Sequence, residues 1–145
     1  MFEKGTTSFA LMTTAAGVLN VRLGGTTNIP LQNSGNWSRT GFVLVTAFRS
    51  SSTCTGFVNG SAMDTTGTTN TGSISNSSVL DIGATAVGGN PMTGDIAEIM
   101  VGGGTISEKE LKTVEGYLAD KYGLGGNLSS THVYKKGQPW GLGKK

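Results

Sequence analysis

Cysteine and histidine each occur once in this chain of 145 residues, proline three times, and charged side chains make up only 14% of it. Each scarcity closes a door. A lone Cys54 permits no internal disulfide, and its place between Thr53 and Thr55 in a strand-like run predicts a small buried residue. A Ser-His-Asp or Cys-His site would have to use His132, yet the chain has neither a nucleophile elbow nor a catalytic-cysteine motif. His132 is therefore expected to be structural or at the surface. Metal binding calls for a cluster of His, Cys or carboxylates; none is spaced for it, so no cofactor is expected. No run approaches the roughly 20 apolar residues of a spanning helix. The opening MFEKGTTSF lacks the apolar core of a signal peptide, which predicts synthesis in a cytosol without membrane insertion. A net charge of +2 is too weak to argue for nucleic acid.

What the chain has in abundance is glycine, 24 residues, with Thr, Ser and Asn filling much of the rest. Recurrent apolar runs and low net charge speak against disorder. Short strands joined by small-residue turns would give this composition. The length suits one domain with a real core. TSFALM (7–12) and VLNVRL (18–23) read as two strands. In the second, Leu19, Val21 and Leu23 share one face and Asn20 and Arg22 the other, the alternation of a strand with one wet side. Residues 24–40 are polar loop with Trp37 as the large anchor. GFVLVTAF (41–48) is apolar on both faces and predicts a central strand. TCTGFVNGSAM (53–63) carries Asn59 and Gly60, the strongest short hairpin signal. Residues 64–78 read as an exposed loop or weak edge strand. SVLDIGA (78–84) and GDIAEIMVG (94–102) predict two more strands.

Beyond residue 106 the period changes. Ser107 and Glu110 form a capping box, with Ile106 and Leu111 placed as its hydrophobic staple. Leu111, Val114, Leu118 and Tyr122 make an apolar stripe at helical spacing. Glu108 and Lys112 are an i,i+4 pair, and Gly123 is placed as a left-handed cap. The spacing predicts a helix over 107–122. Gly116 inside it costs about 1 kcal/mol against Ala, which a close helix-to-sheet contact would explain.

The order TGFVNGSAM, VLDIGA, GDIAEIMV, ISEKELKTVEGYLADKYGL resembles the C-terminal half of concanavalin A-like, laminin-G-like jelly-roll domains, which recur in bacteriophage structural proteins and bacterial surface proteins. The matching positions are Leu80, Ile82 and Gly83; then Gly94, Ile96, Ala97, Glu98 and Ile99; then Tyr117, Leu118, Ala119, Lys121, Tyr122 and Gly123. Asn127, Leu128 and His132 fit the family's exit segment. The resemblance covers about residues 37–134. It implies a mainly β fold: an antiparallel jelly-roll sandwich, reduced at its N-terminus, with one C-terminal helix.

Asp95 and Glu98 are the one carboxylate pair that invites a catalytic reading. Their odd spacing puts them on opposite faces of a strand, whereas a glycoside-cleaving pair must flank one bond about 5–9.5 Å apart. The related laminarinase-type glucanases carry E-x-D-x-x-E on one strand, and nothing here matches it. Glu98 is expected instead to bond where the strand meets the helix, and the protein to be no enzyme. Calcium is the one ion the fold would admit, at Asp64 or Asp81 with Asn and backbone oxygens. Trp37, Asn36 and Arg39 are the candidate glycan-binding residues. After Asp120 the chain holds no acid. Its basic end divides it into a domain over 1–134 and a Gly-rich arm over 135–145. In the arm Trp140, Leu142, Lys135 and Lys136 are candidate partner-docking residues, since Trp is typical of interface hot spots.

The reading these features support is a non-enzymatic virion component made in the host cytoplasm: a capsid decoration or cement protein, multi-copy or homo-oligomeric on the particle and bound to capsid or other virion proteins. A tail or fibre adhesin, or a carbohydrate-binding lectin-like module recognising a host-surface glycan, is the alternative.

Overall fold

A computed structural model describes residues 2–4, 9–13, 18–24, 29–30, 40–63, 67–68, 72–75, 77–84 and 91–136. In chain order the elements are β1 (Phe2–Lys4), β2 (Phe9–Thr13), β3 (Leu19–Leu23), β4 (Ile29–Pro30), β5 (Val45–Ser50), β6 (Thr53–Val58), β7 (Ser61–Ala62), β8 (Gly67–Thr68), β9 (Leu80–Ile82) and helix α1 (Glu108–Lys121). A 3-10 turn follows at Gly125–Asn127. Every strand pair is antiparallel. One sheet runs β4-β3-β2-β1-β9; the other runs β5-β6-β7, with β8 also paired to β6. The β6–β7 turn forms as expected: Val58 pairs with Ser61, and Asn59 (φ 50) and Gly60 (φ 72) take the left-handed conformations that a tight hairpin demands.

The sheets pack face to face. Leu19 and Val21 of β3 meet Cys54 of β6 in a sealed core, with Leu11, Leu23, Val45, Ala47, Val58 and Met63 around it. Cys54 is completely buried, as its place between two threonines predicts. A Leu or Val buried to this degree stabilises by about 1.5–3 kcal/mol, so these few side chains hold the sandwich shut. Arg49 of β5 fastens its rim, donating from Nη1 to the Leu23 carbonyl at 2.9 Å and the Gly72 carbonyl at 2.8 Å.

Three strand expectations need correcting. The outer face of β3 is not wet: Asn20 and Arg22 are buried alongside their apolar neighbours, so a polar residue in the alternation does not mark a solvent face here. Asn20 turns its amide back onto the Val18 carbonyl at 3.3 Å. The run over 41–48 is not a central strand. The strand begins at Val45 and ends its sheet's pairing order, and Phe42 is half exposed. Asn59 diverts the preceding residues: its side-chain oxygen accepts the Leu44 N–H at 3.0 Å, and its own N–H donates to the Leu44 carbonyl at 2.8 Å. Leu44 then packs into a second cluster with Ala119, Leu128, Leu118 and Leu124, which docks the helix. Residues 94–102 form no strand pairing; helix side chains claim them instead.

Helix α1 matches its reading closely. Ser107 accepts the Glu110 N–H at 3.2 Å while the Glu110 carboxylate accepts the Ser107 N–H at 2.8 Å, a complete capping box. At the other end Gly123 adopts φ 68. Its N–H donates to Asp120 at 3.2 Å and that of Leu124 to Ala119 at 2.7 Å, which is a Schellman motif. The buried face differs from the expected stripe. It comprises Leu111, Glu115, Gly116 and Ala119.

Gly116 does mark a close contact, though not with a sheet. A Cβ there would lie 2.7 Å from Cδ2 and 2.9 Å from Cβ of Tyr134. Gly116→Ala is therefore expected to lower stability by about 1–2 kcal/mol, since overpacking costs about 1–3 kcal/mol and outweighs the helix propensity gained. Urea unfolding midpoints check this, and the penalty should shrink in a Tyr134→Ala background.

Candidate functional site

Two acids that look alike in sequence have opposite fates. Glu115, one helical turn from both Leu111 and Ala119, is the largest fully buried side chain. His132 donates from Nε2 to its Oε2 at 3.2 Å. The His132 Nδ1 accepts the Tyr134 N–H at 3.2 Å, which places the ring proton on Nε2. The imidazole lies against the β6–β7 turn, so that a Cβ on Gly60 would come within 2.5 Å of its Cδ2. Ser129 N–H reaches the Asn59 carbonyl at 2.8 Å, and Thr113 meets the Tyr134 hydroxyl at 3.4 Å. This sealed pair has no access to a substrate; it clips the segment after the helix onto α1 and the hairpin. Helical spacing from Leu111 to Glu115 to Ala119 was the signal that could have found it.

Glu98 lies in the open and is held by the helix's last turn. Lys121 Nζ donates to its Oε2 at 3.0 Å, and the Tyr122 hydroxyl donates to the same oxygen at 2.9 Å. Tyr122 also reaches the Ala97 carbonyl at 3.3 Å. The Lys121 ammonium sits over the rings of Tyr117 and Tyr122, at 5.7 and 5.3 Å from their centroids. The role expected for Glu98, bonding to the helix, is what it performs. Asp95 is exposed.

The helix grips this segment only at residues 97 and 98, and its apolar side chains are left facing solvent. Met100 is 53% exposed and Val101 61%, with Ile96 and Ile106 also open. Among the described residues no backbone-to-backbone hydrogen bond involves residues 94–104. The start of the segment is tied to the end of β9 by Met92 N–H to the Gly83 carbonyl at 2.6 Å. Val79, Leu80 and Ile82 at that sheet edge are exposed too. Residues 92–106 thus form a strap with exposed apolar side chains, running from the sheet edge to the helix cap, whose backbone over 94–104 makes no backbone-to-backbone hydrogen bond among the described residues. The sequence marked these residues as a strand and gave no sign that they would stand uncovered.

The residues singled out for binding divide. Trp37, Asn36, Arg39, Trp140 and Leu142 lie outside the described residues, as does Asp64. Lys136 is exposed. Lys135 is turned inward, donating from Nζ to the Gly126 carbonyl at 2.6 Å and the Leu128 carbonyl at 2.5 Å. Asp81 sits in β9, opposite Glu3 of β1. Among the described residues no group of three or more His, Cys, Asp or Glu stands together as a metal site.

A model of the family described as the concanavalin A-like lectin/glucanases superfamily matches residues 1–112. The match takes in the first 36 residues, which the resemblance noted above had left out, and ends within α1. No curated protein and no solved structure matches the chain.

The bonds from Lys121 and Tyr122, in that order, hold the Glu98 carboxyl below the usual glutamate range. A depressed folded value means the contact contributes above the unfolded glutamate pKa, about 4.3. It is lost as pH falls through the lower folded value. NMR titration of the side-chain carboxyl should place Glu98 below free glutamate, and Lys121→Met should move it upward. A Glu98 midpoint unmoved by that substitution would show that the lysine does not set it.

Proposed function

Because the chain belongs to the concanavalin A-like lectin/glucanase superfamily, we propose that it is a non-enzymatic binding and assembly module, and specifically a bacteriophage capsid decoration or cement protein. The observation that carries this reading is the apolar strap. A monomeric surface rarely leaves a contiguous apolar patch uncovered, and larger ones mark interaction sites. An unpaired backbone beside an open sheet edge offers a partner main-chain hydrogen bonds as well. The assignment to a virion is supported by the sequence order of GDIAEIMV, capped helix and exit segment, which resembles domains of phage structural proteins. Placement of the carboxylates supports the non-enzymatic part: Glu98 is engaged by the helix and Glu115 is sealed against His132. The protein would be made in the host cytoplasm and sit in many copies on the particle.

The test is occupancy of the particle. Met100→Asp with Val101→Asp should leave the thermal midpoint close to wild type, because both residues are exposed. Copies per capsid, counted by microscopy and gel densitometry, should fall roughly tenfold, the equivalent of about 1.4 kcal/mol. Full occupancy by the double variant would remove the strap from the attachment surface.

Family membership favours one second reading, a lectin-like module for a host-surface glycan. On that reading the purified protein binds a glycan array and Trp37→Ala abolishes the signal. Silence across a broad array at high protein concentration would count against it.

A further inference from the structure

We propose that the outer edge of β9 takes an added strand from a partner protein, an extended segment in which apolar residues alternate with Lys or Arg. The proposal rests on the attachment reading above for there being a protein partner, and it names what that partner must present.

The sheet order sets the place. β9 has β1 on one side and, among the described residues, no strand on the other. Such an edge can pair its main chain with an incoming extended segment. Leu80 and Ile82 of the strand are exposed, as is Val79 just before it. Successive strand residues point to opposite faces, so Leu80 and Ile82 share one face and Asp81 lies on the other. An added strand would bring apolar residues beside Leu80 and Ile82, and the residue between them beside Asp81.

Charge decides what that middle residue is. On its paired side Asp81 is already opposite Glu3 of β1. Beyond Glu3 in the same register comes Ala10 of β2, which supplies no base. Among the described residues Asp81 has no ion-pair partner. Like charges directly opposite across a strand pair are destabilising, and opposite charges stabilise. A Lys or Arg on the open side of Asp81 supplies the base that the sheet itself does not.

The same argument disfavours a second copy of this chain. Two β9 strands set antiparallel with Leu80, Asp81 and Ile82 all paired would put Asp81 against Asp81. The surroundings carry the same sign. Residues 72–107, which include β9 and the strap, contain Asp81, Asp95 and Glu98 and no Lys, Arg or His. Glu98 is bound to Lys121, whereas Asp95 is exposed beside the exposed Ile96. Met92 N–H bonds the Gly83 carbonyl, so this acidic and apolar surface begins where β9 ends.

Fluorescence anisotropy with the full-length chain tests this. The probes are two fluorescein-labelled heptapeptides, one alternating valine with lysine and the other valine with glutamate. Wild type should bind the lysine peptide about fivefold more tightly than the glutamate peptide. Asp81→Lys should reverse that order, and Asp81→Asn should narrow it. With the lysine peptide bound, amides within residues 80–82 should gain hydrogen-exchange protection while those of β6 stay unchanged. Equal affinity for the two peptides would overturn the proposal, as would a preference that both Asp81 variants leave intact. So would protection confined to other parts of the chain, or a concentration-dependent dimer that the lysine peptide does not displace. Particle occupancy of the Met100→Asp, Val101→Asp variant reads the attachment role separately. Lost occupancy without a peptide preference sinks the added strand alone; full occupancy with the preference present sinks the strap reading alone.

Discussion

The hydrogen bond from His132 to Glu115 joins three parts of the chain that lie far apart in sequence. The carboxylate comes from the middle of α1, the imidazole from the segment beyond it, and Gly60 of the hairpin closes over the ring. A buried carboxyl left without its donor is costly, about 1–3 kcal/mol or more. The helix's buried face meets His132, and His132 in turn lies against the β6–β7 turn. Asn59 then links the same turn to Leu44 and to Ser129. Local geometry at one hairpin is in this way propagated to the orientation of the helix, and from the helix, through Lys121 and Tyr122, to the strap.

Between sandwich and helix the protein divides its apolar surface unequally. Among the described residues the interior is sealed by Leu19, Val21 and Cys54 between the sheets and by Leu44, Ala119 and Leu128 under the helix. A comparable set of apolar side chains stays outside, on the strap and at the β9 edge. Native proteins usually blunt such an edge with charge or cover it. Here the charges of the strap are few, and one of them, Glu98, is turned toward the helix. It is on this exposed set that the proposed attachment surface rests.

What could be read in advance was local. The capping box at Ser107 and Glu110, the Gly123 cap and the hairpin at Asn59 and Gly60 are each set by neighbours within a few residues, and all three formed. Features fixed by distant partners were harder to see. Asn20 and Arg22 looked solvent-facing because alternation reports polarity and not position within a sheet. Residues 94–102 had a strand's pattern, but what bonds them is distant in sequence: Lys121 and Tyr122, at the end of the helix, reach Glu98 and the Ala97 carbonyl. Nothing adjacent to Glu115 announces a histidine 17 residues later. At the candidate site, Glu98 could be assigned its bonding role from spacing alone, whereas the exposure of Met100 and Val101 emerged only from the assembled fold.

The sheet order places β1, a strand of three residues, between β2 and β9. Phe2 pairs with Leu11 on one side and with Ile82 on the other. During synthesis the first of these pairings is available almost at once. The second must wait until nearly the whole sandwich has left the ribosome. For that interval β1 carries an open edge of its own, and the five-stranded sheet is completed by its earliest-made and latest-made strands meeting last.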